Sequence, residues 1–295
     1  MTLHVAPGKY IVAVSGGVDS VVLLHMLMRA YSGNNNYTFI VAHFDHGIRP
    51  DSAADATFVK GIATHHHLPF ISERQELGVH ASELAARNAR YAFFGRVRAE
   101  NMAQAVLTAH HQDDLLETMI LNILRGTGRR GLDPLRGRAG VLRPLLHTDK
   151  ASLVQYATVN NLIWHEDSTN ASQLYLRNAV RLRIMPALKP AYAQLLRLNN
   201  EAHERNKEIS GLLNEVMLWC TDAGNCLVRC RFVTLPHGVA AECMYELLSA
   251  HAVPDLTTKM VHRAVIAAKT AFPGQKISLN KGLFLVSEAT SVKIV

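Results

Sequence analysis

The chain has 295 residues, 48% hydrophobic and 19% charged, a globular composition with core enough for one large domain or for a main domain with a smaller one. No apolar run approaches bilayer-spanning length, which excludes a helical membrane protein, and residues 1–9 lack a basic stretch followed by an apolar core, so a cytoplasmic location is expected. A formal net charge of +7 suits a polyanionic partner if it clusters, while the cysteines Cys220, Cys226, Cys230 and Cys243 fall late and lack CxxC spacing, which argues against a disulfide scaffold or a zinc ribbon.

Tyr10 to Val14 is a short apolar, β-branched run that predicts a buried strand. Ser15-Gly16-Gly17-Val18-Asp19-Ser20 follows as a small-residue turn, and residues from Val18 onward are apolar at helical spacing. Strand, glycine turn and helix together make a phosphate seat. Gly16 and Gly17 let the backbone approach a ligand, Ser15 and Ser20 offer hydroxyls, and the helix start presents unpaired N–H groups at the positive end of its dipole. Asp19 is out of place beside a phosphate unless a cation sits between them, which makes it a candidate Mg²⁺ ligand. A tight turn with a helix-start acid is the plainer alternative. No Gly-Lys-Ser/Thr follows, so the loop is not a Walker A sequence.

Asn34 to Asn36 predicts a loop and Thr38 to Phe44 a second strand. The pattern then repeats: a helix within Ser52 to His67, a strand near Pro69 to Ser72, a helix from Ser82 to Asn101, a strand over Ala105 to His110 and a helix from Gln112 to Leu124. Such alternation implies a doubly wound α/β fold with a parallel sheet, whose ligands sit beyond the carboxyl ends of the strands. The polar motifs fall at those ends: Ser15 to Ser20, Asp45-His46-Gly47-Ile48-Arg49, and His110-His111-Gln112-Asp113-Asp114. Arg125 to Pro144 is rich in glycine and arginine and predicts a mobile basic loop suited to phosphate or RNA. A helix over Asp149 to Asn160, a polar turn at Glu166 to Asn170, and a helix placing Arg177 and Arg181 on one face come next. Pro186 and Pro190 interrupt helices before a long one over Tyr192 to Trp219. From Cys220 a small α+β unit is expected, with a strand at Leu227 to Thr234, helices near Val239 to His251 and Thr257 to Lys269, and strands at Lys276 to Leu279, Leu283 to Ser287 and Val292 to Val295.

Three groupings bear on chemistry. Asp113, Asp114 and Glu117 lie within one helical turn of each other behind two histidines, a set able to share Mg²⁺ with Asp19 or to hold an ammonium group, although acids at a helix start also simply answer the dipole. Arg177 and Arg181 are placed to clamp an anion. Arg87 and Arg90 are a solvated helix face by default. Trp164 is read as a core residue rather than a base-stacking one, and His65 to His67 carry no metal role.

Ser15 to Ser20 resembles the PP-loop of the N-type ATP pyrophosphatases. Within that superfamily, Asp45 to Arg49, Ala86-Arg87-Asn88-Ala89-Arg90-Tyr91, Thr108 to Thr118, Arg125-Gly126-Thr127-Gly128, and Asp167-Ser168-Thr169-Asn170 with Arg177-Asn178 resemble the tRNA(Ile)-lysidine synthetase family over residues 10–190. The resemblance implies an adenine nucleotide alpha hydrolase-like catalytic domain over 1–190, a helical linker over 191–219 and a small tRNA-binding domain over 220–295, shorter than in longer family members. It implies a ligase that uses ATP and Mg²⁺ to adenylate C2 of the wobble cytidine of a CAU anticodon and then joins L-lysine there. It further implies that Ser15, Gly16, Gly17, Val18, Asp19 and Ser20 hold ATP with His43, His46 and His110 nearby, and that Asp19 and Asp114 serve Mg²⁺. In the same reading Asp114 and Glu117 serve lysine and metal, Arg90, Arg177 and Arg181 serve the reacting phosphate, and Arg125, Arg129 and Arg130 serve RNA. A homodimer is left open.

Two other readings stay in view. A PP-loop tRNA thiolase would need cysteines near the site, and residues 1–219 contain none. A non-catalytic RNA-binding module would have no use for Asp19, Asp114 and Glu117, and turnover of ATP distinguishes it.

Overall fold

The computed structural model of the chain describes residues 3–47, 52–76, 78, 83–136, 139–165, 176–222, 224, 226–251, 253, 256–280 and 282–295. They divide into two compact units, Met1–Ala202 and His203–Val295, with the boundary inside one long helix, Tyr192–Cys220.

The first unit is built on five parallel strands, β1 (Gly8–Ala13), β2 (Tyr37–Asp45), β3 (Phe70–Arg74), β4 (Ala105–Leu107) and β5 (Val141–Leu142), in the order β3-β2-β1-β4-β5. Side chains alternate across a strand, and β1 is apolar on both sides because both are covered. Tyr10, Val12 and Val14 pack with Val22, Leu23 and Leu27 of α1 (Val18–Tyr31), Val59 of α2 (Ser52–His65) and Leu153 of α5 (Lys150–Val159). Ile11 on the opposite face packs with Tyr91, Phe94 and Val97 of α3 (Glu83–Glu100). Trp164 lies against the first of these cores, as its composition suggests. Burying each of these aliphatic side chains is worth about 1.5–3 kcal/mol.

Strand order reverses between β1 and β4, so the loops leaving these two strands splay apart and leave a crevice at their carboxyl ends. α4 (Gln112–Leu124) begins just after β4. The predicted strand over Ala105 to His110 ends at Leu107: Thr108 N–H makes the last bond to β5, with Leu142 O at 3.0 Å, and Gln112 N–H then bonds Thr148 O at 2.9 Å as α4 begins. The segment expected as a loop contains regular structure among its described residues. Arg129–Leu132 forms a 3₁₀ turn, and Val141–Leu142 becomes β5 through pairing with Val106 and Leu107. Two apolar residues carry no strand signal of their own; the ladder creates it.

In the second unit an antiparallel sheet runs in the order β6 (Leu227–Val228), β9 (Ser291–Ile294), β8 (Leu283–Ser287), β7 (Lys276–Asn280). Helices α9 (Arg229–Thr234), α10 (His237–Ala250) and α11 (Thr258–Thr270) cover a core of Phe232, Cys243, Met244, Leu248, Val265 and Leu285. The strand expected at Leu227 to Thr234 is corrected to two strand residues followed by α9. Phe232 is fully buried while Cys230 and Thr234 are exposed, and a strand would have put all three on one face. All four cysteines are free thiols, with Cys220 and Cys243 in the core.

Candidate active site at the ends of beta1 and beta4

The glycine loop is held by its own serines. Ser20 Oγ donates to Gly17 O at 2.8 Å and accepts Ser15 N–H at 3.1 Å, and Gly17 N–H reaches Ser15 Oγ at 3.3 Å. Gly16 has φ +95°, a left-handed conformation that glycine adopts without strain. Gly17 is the N-cap of α1 and puts no side chain over the first turn, so the helix start stays open to an anion. From behind, His165 N–H bonds Gly16 O at 3.0 Å, with the His165 ring stacked on Phe58 (4.2 Å between centroids) and Nδ1 2.6 Å from Asp55 Oδ1.

Asp19 finds its cation in Lys150, whose Nζ lies 2.6 Å from Oδ1. That contact begins a line of charged and polar side chains. Asp19 Oδ2 is 3.7 Å from His111 Nε2, which is 3.4 Å from Asp114 Oδ2. Asp114 Oδ1 is 3.8 Å from Arg181 Nη2, and Arg181 Nε donates to Glu117 Oε2 at 2.9 Å. Arg177 Nε donates to the other Glu117 oxygen, and its Nη2 donates to Thr118 Oγ1 at 3.3 Å. The line thus joins the phosphate seat to the carboxylates of α4. Glu117 is 2% exposed, and such a buried carboxylate is tolerated because two guanidinium groups meet it. Asp114 also accepts His111 N–H at 3.1 Å, a cap on α4. Burial alone would raise its carboxyl, but His111, His110, that backbone N–H and Arg181 outweigh it and hold the acid below the ordinary range.

The three histidines expected near the nucleotide are placed on the same side. His43 is buried, with Nδ1 2.9 Å from Val14 O, and so braces β1 against β2. His46 follows β2 and is pushed down to about 4, first by burial and then by Arg90, with Asp45 opposing. His110 is pushed down to about 3 by burial, against Asp114, with Arg143, Arg90 and Arg87 adding to the fall; its Nδ1 is 2.9 Å from Thr108 Oγ1. Both rings are therefore neutral at physiological pH. Arg87 and Arg90 do not form a bare solvated face: their guanidinium carbons stand 5.0 and 5.7 Å from the Tyr91 ring centre.

Arg125 is exposed at the C-terminal end of α4, and Arg129 and Arg130 are half-buried in the 3₁₀ turn, which Asn122 Nδ2 anchors through Gly131 O at 3.0 Å. Ile48, Arg49 and the turn Glu166 to Asn170 lie outside the described residues. Lys150, His111, Arg143 and His165 are the participants that motif reading passed over or left without a role. Lys150 and His165 sit in stretches without a glycine signature, and only the fold brings them to the loop. Lys150 did carry one signal: a cation in the first turn of a helix opposes the dipole and calls for an anion.

The PP-loop domain family matches residues 3–188 of the chain. Proteins named tRNA(Ile)-lysidine synthase from Exiguobacterium sibiricum and Thermus thermophilus are each 38% identical, over 65% and 72% of this chain and 47% and 42% of their own lengths. One of that name from Petrotoga mobilis is 36% identical over 61% of this chain and 60% of its own. The chain spans about half the length of these relatives. Among solved structures, the U34-tRNA thiolase NcsA from Methanococcus maripaludis superposes with a TM-score of 0.57 at 17% identity, covering 68% of this chain and 73% of that one, a likeness of fold. With the sheet order, the glycine loop at its switch point and the match over residues 3–188, the chain belongs to the PP-loop domain family.

Proposed function

We propose that the protein uses ATP to join L-lysine to C2 of the wobble cytidine of a tRNA(Ile) with a CAU anticodon, through an adenylated cytidine, releasing AMP and pyrophosphate. The carrying observation is the ionic line from Asp19 to Glu117, because this reaction needs a phosphate seat and an amine seat in one crevice. The names of the relatives support the substrate, and the absence of cysteine from residues 1–219 speaks against thiolation.

In this reading the triphosphate lies over Ser15 to Ser20, and the cytidine C2 oxygen attacks the α-phosphate as pyrophosphate leaves. The lysine ε-amine then forms the C2–N bond and AMP departs with the C2 oxygen. Arg90, Arg177 and Arg181 are the cations available to the charge that develops at the phosphate. Asp114 and Glu117 are the acids available to the ammonium. Their present arginine partners mark the place where the incoming amine competes. Neutral His46 and His110 suit the ribose and adenine side, since they add no charge there.

Mg²⁺ binds by one or two carboxylates together with phosphate oxygens and water. Asp19 fits that pattern: it is a hard oxygen donor, partly open, at the phosphate seat. Asp114 fits less well, with both oxygens facing His111 or Arg181. Among the described residues no group of three or more acidic, histidine or cysteine side chains forms a metal cage. When bound, Mg²⁺ would neutralise phosphate charge. Arg125, Arg129 and Arg130 would meet RNA, and residues 220–295 would add a second contact.

The test is to mix the protein with α-labelled ATP and a CAU-anticodon tRNA(Ile) transcript, with and without lysine. Pyrophosphate release that needs the RNA, followed by AMP release that needs lysine, is expected. AMP formation without RNA would contradict the proposal.

A further inference from the structure

Three helix starts converge on Asp19. α1 begins at Val18, α4 at Gln112 and α5 at Lys150, and the side chains at or beside those starts meet as Lys150 Nζ–Asp19 Oδ1 at 2.6 Å and His111 Nε2–Asp19 Oδ2 at 3.7 Å. Each helix start carries about half a positive charge, and each has a carboxylate of its own: Asp19 on α1, Asp114 on α4 and Asp149 on α5. Lys150 adds a full cation there, at the end of α5 where a cation is least at ease. Its neighbour Asp149 caps α5, accepting Ser152 N–H and Ser152 Oγ–H at 2.8 Å each, so the carboxylate that meets Lys150 is Asp19. The Lys150 and Asp19 side chains are 39% and 28% exposed, so their contact is open to exchange.

We propose that Lys150 is a phosphate-binding residue, held by Asp19 when the seat is empty and passed to the β- and γ-phosphates when a nucleoside triphosphate arrives. This rests on the reading that Ser15 to Ser20 seats ATP. Asp19 is then free to turn to the cation that accompanies the nucleotide, so one carboxylate exchanges a resident ammonium for an incoming ion while Lys150 exchanges a carboxylate for phosphate. No net charge is stranded at either stage, and Lys150 remains beside the pyrophosphate as it leaves.

The test is calorimetric titration of the full chain with AMP and with ATP and Mg²⁺, without RNA or lysine, in wild type, Lys150→Met, Lys150→Arg and Asp19→Asn and in the double variant Asp19→Asn/Lys150→Met. Loss of a charged contact of about 1.5–3 kcal/mol corresponds to roughly a 10- to 150-fold weaker affinity. Lys150→Met should weaken ATP by at least tenfold, leave AMP within about twofold and do so in the Asp19→Asn background as well, with Lys150→Arg restoring most of the loss. If Lys150 only neutralises Asp19, its removal will be harmless once Asp19 is Asn, and the proposal fails. Equal losses for AMP and ATP also overturn it. A wild-type protein that binds ATP but transfers no lysine would defeat the proposed reaction and leave this inference standing.

Discussion

In the proposed reaction Glu117 is the side chain on which the amine half of the site depends. Its carboxylate is buried between Arg177 and Arg181, and replacing it with Gln leaves two guanidinium groups facing a neutral amide. Breaking one side of a buried pair costs about 3–5 kcal/mol, the lower end applying here because both arginines are partly open. Glu117→Gln should lower the melting temperature and abolish lysine transfer while leaving ATP binding intact; near-normal transfer would remove Glu117 from the reaction. His46 and His110 make a separate, pH-dependent statement. Their folded values of about 4 and about 3 lie below the ordinary 6.5, so from pH 6.5 downward the unfolded chain takes up protons that the folded one does not. Stability therefore falls as pH falls through that window, by up to about 1.4 kcal/mol per pH unit for each ring. Melting curves from pH 7 to pH 5 should show it, and His46→Gln should have the shallower dependence; identical slopes would show that the ring does not carry the effect.

At the scale of elements, the glycine loop and α4 were legible because their chemistry is written in consecutive residues. A Cβ on Gly16, at φ +95°, would make ordinary contact with Phe58 Cδ1 at 3.5 Å and Val59 Cγ2 at 3.6 Å, so Gly16→Ala suffers from backbone conformation rather than collision. Left-handed backbone costs an alanine about 1–2 kcal/mol, and nucleotide affinity should drop roughly tenfold with little loss of fold; unchanged affinity would mean that the loop does not seat the phosphate. What the sequence could not display is pairing at a distance. Arg177 and Arg181 were legible as two cations on one face, but not that the anion between them is Glu117, sixty residues or more away in the chain. Arg181 itself lies in a further irregularity, the π-helix Val180–Ile184, in which Val180 is buried beside Leu116 and Ile120 of α4. A wider turn of this kind lets Val180 fill the core while Arg181 reaches the carboxylate, and such turns recur at functional sites. α9 misled for the opposite reason: Leu227 to Thr234 is apolar and β-branched enough for a strand, but β9 pairs with just two residues of it, Leu227 and Val228.

For the whole molecule, the fold class followed from the alternation of elements, whereas the convergence of Lys150, Asp19, His111 and Asp114 required the sheet order that brings β1 beside β4. The net charge of +7 acquires meaning only through placement. Arg129 and Arg130 sit on a 3₁₀ turn tied to the C-terminal end of α4 through Asn122. Replacing both with Gln should weaken tRNA binding and reduce its salt slope by about one to two units while sparing ATP; an unchanged slope would return the turn to a structural role. The central claim is that one crevice activates a cytidine and then accepts lysine. Nucleoside mass spectrometry of CAU-anticodon tRNA(Ile), digested after incubation with the protein, ATP and lysine, reads it most directly. The account predicts a lysine-conjugated cytidine at the wobble position that needs all three components and is lost in Glu117→Gln. An unmodified wobble cytidine, or one modified without lysine, would contradict it.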